Sequence, residues 1–174
     1  NTIIRRLPSV ETLGAVNVVC SDKTGTLTQN KMTVKKCYVD GKTVDAGELD
    51  ADGNRELLLG CALCNDGVIS GGSRIGDPTE LALLDLAAKY RMEREKLERE
   101  YPRIDEKAFD SDRKMMTTLH RGRGGRVSYT KGSTEEVLRC SKYLLSRGKK
   151  TALTEAARRE ILHAAGQMSS EALR

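Results

Sequence analysis

The sequence lacks any long hydrophobic run, since no apolar stretch approaches the roughly 20 residues that a membrane-spanning helix needs. Residues 1–6 contain neither an initiator methionine nor the apolar segment of a signal peptide, so we expect a piece cut from a longer protein. The glycine-rich stretches do not fit a Walker A loop. The only two histidines, His120 and His163, have no metal-ligand spacing, and we expect both to be structural.

Cysteine is present in an odd number, and nothing in its spacing indicates a disulfide framework, so we expect a reducing compartment. The five cysteines lie at positions 20, 37, 61, 64 and 140. Cys61 and Cys64 form a single C-x-x-C without the second ligand pair that a structural zinc site needs. Both fall in a helical pattern, which favours packing in a core over metal or redox use.

The charge balance is mildly basic, with 30 lysines and arginines against 25 acidic residues, which gives a net charge of +5. This excess suits a phosphate-bearing ligand, and we do not expect nucleic-acid binding from it. The segment Arg121–Gly125 resembles an RNA-binding Arg-Gly stretch, but its position between two strand patterns favours a hairpin turn. With 38% hydrophobic and 32% charged residues, the composition is that of a soluble globular chain.

The pattern of apolar, polar and glycine residues along the sequence divides the chain into two parts, with a boundary near residue 35. In residues 1–34, the apolar run 17–20 predicts a buried strand that ends just before Asp22. Residues 35–174 predict a mixed α/β (α+β) fold with an antiparallel hairpin. Five helices are predicted: over 54–64, after the N-cap Asp77, over 91–100, from about residue 134, and after the cap Thr154. Four strands are predicted, over 32–39, 103–109, 114–120 and 126–131.

Two predicted helices carry an apolar stripe at helical spacing. In the helix that begins with Pro78, the stripe consists of Leu81, Leu84 and Ala88. In the last helix, capped by Thr154, the stripe consists of Ala157, Ile161, Ala164 and Met168. We expect these residues to face the core.

The stretch that follows the apolar run, Asp22–Thr28, has the chemistry of a phosphoryl acceptor. Asp22 is a carboxylate at the predicted carboxyl end of a strand, where open α/β sheets bind their ligands. Gly25 and the neighbouring hydroxyl residues suit a tight loop whose N–H groups cradle phosphate oxygens. Lys23 is suited to offset the charge on the transferring group, and an aspartyl-phosphate is an established intermediate. A surface turn is the alternative for so short a motif.

The full heptad Asp22–Thr28 matches the phosphorylation signature of the P-type cation-pumping ATPases, and the flanking stretches 7–14 and 29–34 also resemble that family. The stretch 7–13 is most similar to the calcium-pump branch. The resemblance implies that residues 1–34 are the first segment of a haloacid-dehalogenase-like phosphorylation domain. It implies that residues 35–174 are most of a nucleotide-binding domain, an antiparallel sheet flanked by helices, truncated at its C-terminus.

The resemblance assigns roles around the phosphoryl acceptor. Asp22 is implied to be phosphorylated by ATP and to bind Mg²⁺, with the backbone carbonyl of Thr24 as a second ligand. Thr26 corresponds to a position near the phosphoryl group. The acidic residues that complete the metal site in the family lie downstream of this chain.

Four further motifs resemble the family's ATP pocket. Phe109 is implied to stack on the adenine, with Lys114 and Met116 as pocket walls, although a hydrophobic residue at a strand end is the plain alternative. Ser111 replaces a basic residue found in many relatives. Arg174 corresponds to an arginine that reaches the ATP phosphates.

The remaining two motifs are a strand end and a helix start. Lys131 and Gly132 are implied to bind nucleotide, with Ser133 in place of the family's alanine. Glu80 has two readings: it completes a capping box with Asp77, or it lies near the adenine amino group, which we favour.

The resemblance implies the cytosolic part of an integral membrane pump, whose partners are ATP and the remaining phosphorylation, actuator and transmembrane domains. One alternative is an ATP-binding module that is inactive in isolation. Another is a phosphatase of the haloacid-dehalogenase type, which usually has a second aspartate where this chain has Thr24.

Overall fold

The chain divides into two compact units, Asn1–Lys31 and Met32–Arg174. A computed structural model describes part of the first unit and nearly all of the second. The described residues are 14–18, 20, 30–122 and 124–173. The predicted phosphate-binding residue Arg174 lies outside them.

The described residues of the first unit do not form the predicted strand. Asn17, Val18 and Cys20 have no strand structure, and Val18 is 75% exposed. An apolar run becomes a buried strand only where neighbouring strands satisfy its backbone and cover its side chains, and the described residues of this unit contain no strand to do so. The predicted catalytic residues Asp22, Lys23, Thr24 and Thr26 lie outside the described residues.

The second unit contains nine described strands and five described helices. The strands are β1 Lys36–Val39, β2 Lys42–Asp45, β3 Val68–Ser70, β4 Ser73–Ile75, β5 Arg103–Asp110, β6 Met115–Gly122, β7 Gly125–Gly132, β8 Tyr143–Ser146 and β9 Lys149–Ala152. The helices are α1 Arg55–Leu63, α2 Pro78–Lys89, α3 Arg94–Glu100, α4 Thr134–Cys140 and α5 Glu155–Ser170.

All of these strands pair antiparallel. Strands β5, β6 and β7 form one three-stranded sheet in that order, and β1–β2, β3–β4 and β8–β9 form three hairpins. The predicted mixed α/β fold with small antiparallel sheets flanked by helices is therefore confirmed. Residues 121–125 contain the predicted turn, since β6 and β7 are joined there and Gly122 pairs with Gly125.

The hydrophobic core is centred on α1. Leu58, Leu59 and Leu63 are at most 1% exposed, and α1 packs against α2, α3 and β7. Complete burial of a leucine side chain contributes about 1.5 to 3 kcal/mol, so this short helix supplies much of the driving force for the unit. Val127 and Tyr129 of β7 pack against the same cluster and join the sheet to the helices.

Helix α2 begins as predicted, and its buried face matches the predicted stripe at Leu81 and Leu84 but not at Ala88. The side chain of Asp77 accepts a hydrogen bond from the Thr79 N–H at 2.7 Å, and Pro78 occupies the first turn. Leu84 is buried as expected, whereas Ala88 is exposed. The buried residues are Ala82, Leu84, Leu86 and Ala87. The stripe prediction was wrong at Ala88, because the residues of α2 that pack in the core end at Ala87 and Ala88 lies in the exposed last turn.

The helix predicted from residue 91 begins three residues later, as α3. Arg91 has φ = +60°, in the left-handed region that ends helices, so α2 and α3 are separate. The predicted stripe of α5 is confirmed: Ala164 is buried and Ala157, Ile161 and Met168 are half-buried.

Candidate functional site

The pairing of β6 with β7 brings two of the predicted nucleotide-binding residues together. Met116 and Lys131 are direct cross-strand partners, and side chains opposite one another lie on the same face of a sheet. Met116 is 1% exposed, and Lys131 is half-buried beside it. The site therefore has an apolar floor next to a cation.

Lys131 forms an ion pair with Glu80, which lies 51 residues earlier in the first turn of α2. The Lys131 Nζ and Glu80 Oε1 atoms are 2.5 Å apart, and their side chains are 27% and 18% exposed. Partial burial strengthens such a pair relative to an exposed one. The structure thus joins two residues that the sequence predicted for one ligand.

The other Glu80 oxygen, Oε2, accepts a hydrogen bond from the Asp66 N–H at 3.2 Å. Both carboxylate oxygens therefore face the Asp66 and Lys131 side of α2. Asp77 caps the helix with its own side chain. The contacts of the Glu80 carboxylate described here are with Asp66 and Lys131, and its role beside an adenine amino group stays a prediction.

Gly132 occupies a position where no other residue fits. A Cβ atom there would lie 2.3 Å from the Lys114 carbonyl oxygen and 2.5 Å from the Met115 Cγ. The close approach lets the Ser133 N–H donate to the Lys114 carbonyl at 3.0 Å. Gly132 therefore acts by holding the end of β7 against the start of β6, and so fixes Lys131 relative to Lys114.

Phe109 and Lys114 lie on either side of the tight turn between β5 and β6, and both are exposed. Phe109 is 64% exposed, and Lys114 has φ = +53°. Asp110 orders the turn, because its Oδ1 accepts hydrogen bonds from the Asp112 and Arg113 N–H groups at 3.0 and 2.7 Å. The ring and the ammonium group are thus presented to solvent on an ordered turn.

The predicted core role of the C-x-x-C pair is confirmed. Cys61 and Cys64 are both buried, and the Cys64 thiol donates to the Met116 carbonyl at 3.6 Å. Burial raises the pKa of the Cys61 thiol to about 12, so it stays protonated at neutral pH. Among the described residues, no group of three histidine, cysteine or acidic side chains is placed to hold a metal ion.

His120, in β6, is fully buried. Its Nδ1 lies 2.9 Å from the Tyr101 carbonyl oxygen and its Nε2 lies 2.9 Å from the Thr118 Oγ1. Because a carbonyl only accepts, Nδ1 carries a proton and donates. Both ring nitrogens are engaged, which agrees with the structural role predicted for this residue.

The sequence does not predict the part played by two further side chains: Asn65, which donates to the Glu80 carbonyl, and Arg103, which donates to the Asn65 carbonyl. In the sequence, Asn65 simply follows the predicted helix 54–64, and Arg103 is the first residue of the predicted strand 103–109. The signal that marks Asn65 is its place next to the apolar stripe of α1, where a polar side chain is buried only if it is fully hydrogen-bonded.

The described residues also form an open depression of about 520 Å³ at the opposite end of the β6–β7 hairpin, at its turn. Its lining is Ile104, Asp105, Leu119, Arg121, Gly122, Gly125 and Arg126. None of the predicted nucleotide-binding residues takes part in it.

In the part of the chain that the structure describes, no helix is long and apolar enough to cross a membrane.

Comparison with known proteins identifies the class. Residues 54–174 match the family model described as P-type ATPase, cytoplasmic domain N. This match covers well over half of the chain, so the chain belongs to the P-type ATPase family, as its motifs predicted.

Individual relatives agree with this class. The chain is 49% identical over 177 residues to calcium-transporting ATPase 1 of Bacillus cereus, covering 100% of this chain and 20% of the relative. It is 41% identical over 197 residues to calcium-transporting ATPase 1 of Saccharomyces cerevisiae, covering 99% and 20%. It is 37% identical over 196 residues to calcium-transporting ATPase type 2C member 1 of Bos taurus, covering 99% and 20%. The chain thus spans about a fifth of the length of these relatives.

Proposed function

We propose that this chain is the ATP-binding cytosolic part of a P-type ATPase that transports cations, with Ca²⁺ as the cargo. The observation that carries the proposal is the Glu80–Lys131 ion pair beside Met116, in a chain that matches cytoplasmic domain N. The calcium assignment rests on the relatives, which are calcium-transporting ATPases. The intact protein would be an integral membrane protein, and its remaining phosphorylation, actuator and transmembrane domains would be partners of this chain.

The described residues fit an adenine nucleotide by their chemistry. The exposed ring of Phe109 offers a flat apolar face, and stacking of a base on an aromatic ring is worth about 1–3 kcal/mol. Met116 supplies an apolar wall. Glu80 is an acceptor suited to an exocyclic amino group, Lys131 would act beside it at the same end of the nucleotide, and the ammonium group of the exposed Lys114 suits the polyphosphate. Arg174 would add a further cation.

Phosphoryl transfer would take place at Asp22. A carboxylate oxygen of Asp22 attacks the γ-phosphorus of ATP, a P–O bond to Asp22 forms, the bond to the β–γ bridging oxygen breaks, and ADP leaves. Lys23 and Thr26 would stabilise the equatorial oxygens. The Asp22 carboxylate and the Thr24 carbonyl are oxygen donors of the kind that Mg²⁺ prefers, and Mg²⁺ would neutralise the charge on the phosphates.

ATP titration of the chain by amide NMR tests the pocket. We expect shifts that cluster at Glu80, Phe109, Lys114 and Lys131. Lys131→Met is expected to weaken binding about tenfold or more, because a hydrogen bond to a charged group contributes about 1.5–3 kcal/mol. The matched control is Lys150→Met in β9, whose ammonium group lies over the Tyr143 ring and away from these residues. Unchanged affinity of the Lys131 variant would reject the pocket.

Turnover is tested separately with γ-labelled ATP and Mg²⁺. We propose that the isolated chain binds ATP without phosphorylating Asp22, because the acidic residues that complete the family's metal site lie outside it. Label that appears on the chain and is absent from the Asp22→Asn variant would show that the chain is competent for transfer.

A further inference from the structure

The turn that follows α1, residues 65–67, is built around a buried polar side chain. Asn65 is 0% exposed. Its Nδ2 donates to the Cys61 carbonyl at 3.1 Å and to the Glu80 carbonyl at 2.9 Å, and its Oδ1 accepts from the Gly67 N–H at 2.8 Å. Every hydrogen-bonding atom of the amide is used, and the bonds tie the end of α1 to the first turn of α2.

The same turn also holds the Glu80 side chain. The Asp66 N–H donates to Glu80 Oε2 at 3.2 Å, while Asn65 Nδ2 holds the Glu80 main chain. Glu80 is therefore fixed at both its backbone and its carboxylate by two consecutive residues. Its remaining oxygen, Oε1, is the one that pairs with Lys131.

Arg103 fastens this turn to the sheet. Its guanidinium group donates to the Asn65 carbonyl at 2.6 Å and to the Leu63 carbonyl at 3.2 Å, and it pairs with Asp66 at 2.8 Å and with Glu106 at 2.6 Å. A planar group with five donors can satisfy this set of acceptors, whereas a lysine cannot. Arg103 thereby links the turn to β5, the strand that also carries Phe109.

We propose that Asn65 is a positioning residue for nucleotide binding, which holds Glu80 and, through it, Lys131 in place, and that Arg103 clamps the Asn65 turn to the sheet. This inference rests on the proposed function. A polar residue that served only to end α1 would need no bond to α2. Asn65, however, uses one of its two N–H donors for a hydrogen bond to the Glu80 carbonyl in α2. Because Glu80 is the group suited to the amino edge of the purine, its placement sets the preference for adenine over guanine.

The test measures affinity for ATP and for GTP on the whole 174-residue chain, together with thermal unfolding. Asn65→Ala is expected to weaken ATP binding about tenfold, the loss of roughly one hydrogen bond to the base, and to lower the ATP-to-GTP affinity ratio by a similar factor. Its matched control is Asn54→Ala at the other end of α1, where the side chain donates only to the Asp50 carbonyl at 3.0 Å. The control is expected to keep both affinities.

A second variant keeps the proposal testable if Asn65→Ala does not fold. Arg103→Lys retains the positive charge but loses the planar guanidinium group with its several N–H donors. We expect ATP affinity to fall about threefold and the ATP-to-GTP affinity ratio to fall as well. Arg74→Lys is the control, since Arg74 makes a comparable two-point contact with Asp85 on the surface. Equal losses for ATP and GTP in both test variants, or no loss in folded variants, would overturn the positioning role.

A readout without nucleotide separates this inference from the proposed function. In the ligand-free chain, the Asn65 or Arg103 variants are expected to shift the amide resonance of Lys131, which forms its ion pair with Glu80 and is hydrogen-bonded to neither residue. An unmoved Lys131 resonance would overturn the inference even if ATP binds. Failure of the unmodified chain to bind ATP, with the Lys131 shift present, would reject the proposed function and its nucleotide-positioning consequence.

Discussion

Two segments of the second unit have similar secondary structure but very different packing. In the packed segment, residues 46–132, α1 and β6 contain side chains that are fully buried. In the thinly packed segment, residues 133–173, α4 has no buried residue, every residue of β9 is exposed, and Ala164 alone is buried. Helices and hairpins therefore form in both, and the core lies in one. The described nucleotide-binding candidates, Glu80 to Gly132, all lie in the packed segment.

The largest test of this difference is the truncation of a leucine in each segment. Leu58→Ala is expected to reduce the free energy of unfolding by about 3 kcal/mol, because Leu58 is fully buried and its loss leaves a cavity. Leu162→Ala in α5 is expected to cost less than about 1 kcal/mol, because Leu162 is already 41% exposed. Urea unfolding of the two variants measures both values. Equal costs would contradict the division into two segments.

The same substitution at two glycines should have opposite signs. Gly132→Ala is expected to destabilise by about 2–3 kcal/mol, because the new Cβ would meet a backbone oxygen at 2.3 Å. Gly166→Ala should stabilise by about 1 kcal/mol, because Gly166 is inside α5 with nothing within 4 Å of the added atom. Thermal unfolding decides the sign at each position. Destabilisation at Gly166 would mean that α5 is packed more closely than its exposure indicates.

The pH dependence of stability should also differ between the segments. Burial raises the pKa of the Cys61 thiol from 9.0 to about 12, so above pH 9 the unfolded chain releases a proton that the folded chain retains. This contribution to stability is therefore present below pH 9 and is lost as the pH rises towards 12. At pH 10 we expect a loss on the order of 1 kcal/mol from this group.

Two variants isolate the thiol. Cys61→Ala should flatten the decline in unfolding free energy between pH 8 and pH 10, after subtraction of its pH-independent cavity cost. Cys140→Ala, at an exposed thiol, should leave the decline unchanged. If the profiles of the two variants have the same slope, Cys61 does not ionise differently on unfolding.

The smallest predicted effects should be equal in the two segments. Asp77→Ala and Thr154→Ala each remove a side-chain cap, the first with a bond of 2.7 Å to Thr79 and the second with one of 3.2 Å to Ala157. Each is expected to cost about 1 kcal/mol, since a cap acts locally on its own helix. A much larger cost at Asp77, seen in chemical unfolding, would mean that its cap is coupled to the core.

The local signals in the sequence predicted most of the elements correctly. Asp77 with Pro78 placed the start of α2, the glycines near 122–125 placed the β6–β7 turn, and the 3.6-residue period placed α1 and the buried stripe of α5. Each of these signals depends on residues within one or two turns of each other. The hairpins β3–β4 and β8–β9 were not predicted, because strands of three or four residues are too short to show an alternating pattern of polar and apolar residues.

The site could be predicted only in part, because its contacts join distant parts of the chain. The motif at Lys131 and the motif at Glu80 are each visible alone, but their ion pair spans 51 residues and follows from the packing of α2 beside the sheet. Asn65 acquires its role in the same way, from α2. The strand predicted at 17–20 shows the converse: Asn17, Val18 and Cys20 are not in a strand, and the described residues of the first unit contain no strand with which they could pair.

Three of the five described β-hairpins turn through two residues that both lie in the left-handed region. The pairs are Asp40 with Gly41, Gly71 with Gly72, and Arg147 with Gly148, with φ between +47° and +83°. Turns of this geometry match the natural twist of paired strands, so each hairpin is favoured by its own sequence. Isolated hairpins form in about 1–10 μs, and chains with local contacts fold fast. We therefore expect these hairpins to form early in folding, before α1 and α2 pack together to form the hydrophobic core.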